Sequence, residues 1–171
     1  MVPEAPLEQT ETGAAPAGEG WFVLNARDAR WFESDLGFYT QFEGENARFP
    51  ELGIGPGILR PGEPSAMYHG EDLVLSGECL LLVEGQERRL RAWDFVHCPP
   101  WSEHIFVGAG DGPCVVIGVG VRRKGRGIVY PVSALALRNG AGVETQTTDS
   151  KEAYARFPED KPIRCPEEFP G

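Results

Sequence analysis

Between positions 61 and 107 short apolar runs alternate with tight turn signals, among them Ser76-Gly77, Glu84-Gly85 and Pro99-Pro100. Apolar, β-branched runs of about four to eight residues between such breaks read as strands, and their regular recurrence predicts a sandwich or barrel. Residues 21–24 read as a first short strand, and Phe38-Tyr39-Thr40-Gln41-Phe42 alternates as a strand with a polar edge. Residues 25–34 fit either a helical turn or a loop packed on the barrel. Gly53, Gly55, Pro56 and Gly57 interrupt residues 52–59, so that strand is expected to bend or bulge. Residues 114–121 form a continuous apolar run, the mark of a buried closing strand. Beyond it, residues 132–138 predict a short helix with Asn139-Gly140 as its stop. Asp149 and Glu152 have capping-box spacing, which predicts a helix over 150–157 ended by Pro158. The expected organisation is a flexible arm over 1–20, a β-barrel over 21–131, and a C-terminal extension over 132–171. The proline-rich end of that extension is expected to wrap the domain or a neighbouring subunit.

Size and charge narrow the partners. The 171 residues suit one domain with a sizeable core. A formal net charge of -10 argues against a nucleic-acid surface and against docking to anionic lipid. The basic turn at 122–126 could grip a phosphate or carboxylate, with a solvated loop as its default reading. No stretch is apolar enough to span a membrane, and the start MVPEAPLEQTETG lacks the features of a signal peptide. Cys79, Cys98, Cys114 and Cys165 show no C-x-x-C spacing, so a structural zinc site is not expected. A reduced, cytoplasmic, soluble protein is the expectation.

The candidate chemistry lies in one stretch. All three histidines, His69, His97 and His104, fall within it. On a strand, residues i and i+2 share a face, so His69 and Glu71 are expected to project together. His104 follows the Pro99-Pro100 turn. Two histidines and a carboxylate suit a non-haem Fe(II) and also accommodate Zn, Mn or Ni. The alternative is that these histidines are ordinary hydrogen-bonded interior residues. His97 shares a strand face with Phe95 and could be a fourth ligand, a proton shuttle or, by preference, a packed side chain.

Gly62, His69 and Gly77 occupy the opening, first-histidine and closing positions of a motif resembling G-x5-H-x-H-x3–4-E-x6-G. Pro99, Pro100, Ser102 and His104 resemble a second motif, G-x5-P-x-G-x2-H. Together they resemble the cupin superfamily over about residues 52–121. The resemblance implies an all-β fold, a cupin-like double-stranded β-helix or jelly-roll barrel, here with short C-terminal helices. It also implies a divalent metal ion in the barrel mouth, held by His69, Glu71 and His104. Glu71 stands where the family has its second histidine, the connection after His69 is shorter than the pattern, and Trp101 replaces a usual glycine.

Three functions follow as expectations. The first is a metal-dependent enzyme of oxygenase or isomerase type acting on a small organic molecule, with Glu71 or His97 moving a proton. The second is a non-catalytic small-molecule binder or sensor with a reduced metal site. The third is an interaction module. A homodimer is expected as well, because Cys79-Leu80-Leu81-Leu82-Val83 is apolar on both faces.

Overall fold

The computed structural model describes residues 3–66, 72–98, 102–121 and 127–169. Its elements are β1 (Leu7–Thr10), β2 (Gly13–Pro16), β3 (Trp31–Ser34), β4 (Gly37–Thr40), β5 (Leu52–Leu59), β6 (Asp72–Ser76) and β7 (Glu78–Val83). There follow β8 (Gln86–Arg91), β9 (His104–Ala109), β10 (Cys114–Val121), α1 (Ala134–Arg138), α2 (Ser150–Ala153) and β11 (Lys161–Ile163). One sheet has the order β11-β3-β4-β5-β10-β6, a second has β8-β7-β9, and every strand pairing is antiparallel.

The two sheets close on each other along both sides. On one side residues 62–66 run beside β9, with Gly62 N–H donating to Gly108 O (2.7 Å) and Ser65 N–H to Phe106 O (2.7 Å). On the other, Trp93 N–H donates to Val74 O at 3.1 Å. Between the sheets lie Leu59, Val74, Cys79, Leu81, Phe106, Cys114 and Val116. These residues belong to strands of both sheets, so they define the barrel interior.

The opposite faces are covered by the rest of the chain. Leu82, Ile105 and Val107 pack against Leu135, Ala136 and Ala141. Trp31, Phe38, Ile58 and Val115 pack against Ile163, Cys165 and Phe169 of the C-terminal segment. The apolar character of both faces of β7, which suggested a dimer, is therefore satisfied within one chain. Cys79 and Leu81 face the interior, while Leu80 and Leu82 face the α1 region.

Several expectations are corrected. Of the expected flexible arm over 1–20, the described residues 3–20 are ordered: β1 and β2 form a hairpin whose Ala14, Ala15 and Pro16 are buried. Small side chains permit this rather than prevent it, since a Cβ on Gly13 would sit 2.4 Å from Ala29 O. Residues 21–24 are not a strand. Only Trp21 makes a bridge there, to Glu4, and Trp21 and Val23 are exposed. The strand forms instead at Trp31–Ser34, where Thr40 and Phe38 supply partners. β5 does not bulge, and its eight residues pair with β10 in unbroken register. The irregularity lies on the other edge of β10, at Val115 and Val116 against β6.

α1 ends as expected, with Asn139 N–H on Ala136 O and Gly140 at φ 72°. α2 has the Asp149 cap but stops at Ala153, short of the expected 157. Glu152 there takes the Thr147 hydroxyl rather than closing the box on Asp149 N–H, which bonds Thr147 Oγ1. The tail wraps its own domain: β11 pairs with β3, and Arg60 binds Glu168 at 2.9 Å.

Candidate functional site

His104 opens β9 opposite Val83, on the same face as Phe106, and is 3 % exposed. Val83 and Phe106 belong to the interior cluster, so His104 occupies an interior-facing position. Its Nδ1 lies 2.9 Å from Ser102 O. A carbonyl can only accept, so Nδ1 carries the proton and donates. In the neutral ring Nε2 is then the atom with the lone pair. A backbone carbonyl on the rear nitrogen is the usual way a ligating histidine is oriented.

His97 does not share this position. Residues 91–94 make a tight turn, with Asp94 N–H on Arg91 O and Trp93 at φ 72°. Along 91–98 Arg91, Trp93, Phe95 and His97 are exposed, Val96 packs on the interior cluster and Cys98 is buried. The packed reading of His97 is therefore corrected: it shares the face of Phe95, as expected, but that face meets solvent. His69, Glu71, Pro99, Pro100 and Trp101 lie outside the described residues, as does the short connection that follows His69. Among the described residues no group of three His, Cys, Asp or Glu side chains is placed to hold a metal ion. Of the three ligands expected from the sequence, the structure thus places His104.

The interior continues into a cavity of about 740 Å³ that sequence reasoning missed. Its lining includes Leu59 and Val116 and then the bare backbone of Gly53, Gly55, Gly57, Gly118 and Gly120. In register Gly57 faces Val116, Gly55 faces Gly118 and Gly53 faces Gly120. Each is an even step from an interior residue, so all point to the inner face. The signal was present in LGIGPG and IGVGV, where glycines two apart on two strands predict one bare face. Tyr39, Tyr154 and Phe157 supply aromatic walls, with Gln41 and the carboxylates Asp35, Glu159 and Asp160 around them. The Tyr39 hydroxyl donates to Asp160 Oδ2 at 2.6 Å. Burial, then the bond to Asp160 and its negative charge, push the phenol well above its ordinary pKa. It stays a protonated donor throughout the neutral range.

At the far end of the interior, Cys79 and Cys114 are fully buried. A hydrogen bond from Cys79 draws the Cys114 thiol below its usual pKa, against the opposing effect of burial. The pair is sealed from solvent and serves as core.

A short antiparallel barrel closed by two sheets, with a histidine at the start of β9 facing its interior, is a cupin-type barrel. The sequence agrees: residues 59–120 match the family described as Cupin domain. Among solved structures it is similar to the polyketide cyclase RemF from Streptomyces resistomycificus (12% identity, TM-score 0.52, covering 62% of this chain and 82% of that one). It is similar also to an RmlC-like cupin from Shewanella frigidimarina (17% identity, TM-score 0.50, 62% and 95% covered). A third is a candidate sugar phosphate isomerase from Acidithiobacillus ferrooxidans (24% identity, TM-score 0.45, 51% of this chain). The present chain spans 60% of the length of that last protein. No curated protein matches the sequence significantly. At these identities the first two likenesses bear on the fold alone.

Proposed function

We propose that the chain is a metal-dependent cupin enzyme, of oxygenase or isomerase type, acting on a small organic molecule held in the barrel cavity. The observation that carries this reading is His104, buried on an interior-facing position with its Nδ1 proton committed to Ser102 O. That arrangement suits a ligating imidazole, and His69 and Glu71 are the residues proposed to complete the set. A divalent ion, Fe, Zn, Mn or Ni, would supply polarisation of a substrate oxygen there. The chain's own contribution is binding and orientation. The inner face of β5 and β10 gives the substrate room against backbone, and the Tyr39 oxygen, its proton held by Asp160, offers a positioned acceptor. A non-catalytic binding role is the second reading, favoured by the same cavity, whose walls do not depend on a metal.

The test is the metal content of protein purified by gel filtration without added metal. The reading expects a first-row divalent ion near one per chain. His104→Ala should lose most of it, while His97→Ala, changing an exposed side chain, should retain it. Metal-free wild type that also fails to take up Fe, Zn, Mn or Ni would move the account to the binding role.

A further inference from the structure

We propose that the cavity binds an organic cation, an amine-bearing small molecule whose ring lies on the inner face of β5 and β10 and whose ammonium meets Asp35, Glu159 and Asp160. This rests on the reading of the cavity as the ligand site, and is independent of the metal. The three charged side chains among the described lining residues are all carboxylates. Tyr39 spends its proton on Asp160, so the phenol oxygen faces a ligand as an acceptor. The charged side chains of the wall are thus all negative, and they favour a ligand that brings positive charge. Tyr39 and Tyr154 add rings, whose faces attract an ammonium electrostatically, while the Phe157 ring already carries the Arg156 guanidinium at 4.8 Å. An anionic group would meet only repulsion from these carboxylates. The opposite side offers a flat ring space, because Gly53, Gly118 and Gly120 bring no side chain to the inner face and a Cβ at Gly120 would meet nothing within 4 Å, whereas the Thr40 carbonyl already covers Gly55.

Gly120 provides the control. A Cβ there would meet nothing within 4 Å, and its φ is not in the left-handed range, so a side chain enters open space without strain on the backbone. Three probes of one shape test the charge: benzylamine, benzyl alcohol and benzoate, titrated into the ¹⁵N-labelled protein as purified and followed by amide shifts. Benzylamine should bind about tenfold tighter than benzyl alcohol, with shifts at Gly53 and Gly120, and benzoate weakest of all. Gly120→Phe should abolish the benzylamine shifts while leaving the amide spectrum dispersed and the metal content unchanged. Asp160→Asn should weaken benzylamine severalfold and leave benzyl alcohol nearly unaffected. Benzoate binding as tightly as benzylamine would overturn the proposal, as would no saturable benzylamine shift. Benzylamine shifts unchanged in Gly120→Phe would mean mere attraction to an acidic surface, and would overturn it too. Loss of metal in His104→Ala with benzylamine binding retained separates this site from the metal reading.

Discussion

At the residue scale, two glycines with opposite surroundings make the sharpest comparison. A Cβ on Gly108 would lie 2.0 Å from the backbone oxygen of Arg60, where the 60–63 segment crosses β9. Gly108 also gives and takes a hydrogen bond at that crossing, with Glu63 O and Gly62 N–H. Gly108→Ala must push two strands apart, and a loss at the upper end of about 1–3 kcal/mol is expected by urea unfolding. Gly120→Ala, with open space around it, should stay within about 0.5 kcal/mol of wild type. The histidines teach a related lesson. His69, His97 and His104 look alike in the sequence, yet the alternation that buries His104 beside Phe106 puts His97 in solvent with Phe95. Strand register decides this, and register was not legible until Val96 and Val83 were seen packed on the interior.

At the element scale, α1 has only five residues and cannot stand alone. It persists because Leu135 and Ala136 bury against Leu82, Ile105 and Val107. Leu135→Ala should therefore cost about 2 kcal/mol, the low end for a buried leucine, read as a lower thermal midpoint. The helix itself was legible from residues 132–138 and the Asn139-Gly140 stop. What it covers was not, and so β7 looked like a dimer surface. β10 was also legible, because its apolar run has no competing reading. The hairpin of β1 and β2 was missed for a physical reason: composition scales read Ala, Gly and Pro as having nothing to bury, whereas here they allow backbones to approach closely. β5 was misread as bent because glycines were counted as breaks, when their spacing by two marks a bare face.

For the whole molecule, the C-terminal segment joins core, cavity and pH response. Phe169 packs at a tilt on the fully buried Trp31, 5.3 Å between centroids, and Arg60 ties down Glu168. Its own backbone hydrogen bond and Arg60 hold the Glu168 carboxyl below the usual range. With a depressed folded pKa, the contribution is present above the ordinary glutamate value of about 4.3 and is lost as pH falls through the lower folded value. Glu168→Gln should thus lower stability at neutral pH slightly and flatten its fall on acidification. Tyr39 runs the other way. Its raised folded pKa means stability is intact below the ordinary tyrosine value of about 10 and declines as pH rises above it. Ultraviolet titration should show late-ionising tyrosine in the folded protein, and Tyr39→Phe should remove part of that late component. Among the described residues no helix is long and apolar enough to cross a membrane.

The central claim is that His104 presents Nε2 to a metal ion inside the barrel. Anomalous scattering from crystals of the purified protein, collected on either side of the absorption edge of the metal found in it, tests this most directly. The account predicts a single peak about 2.0–2.2 Å from His104 Nε2, with His69 and Glu71 within bonding distance of the same peak. A peak on the exposed face near His97, or none within bonding reach of His104, would contradict it.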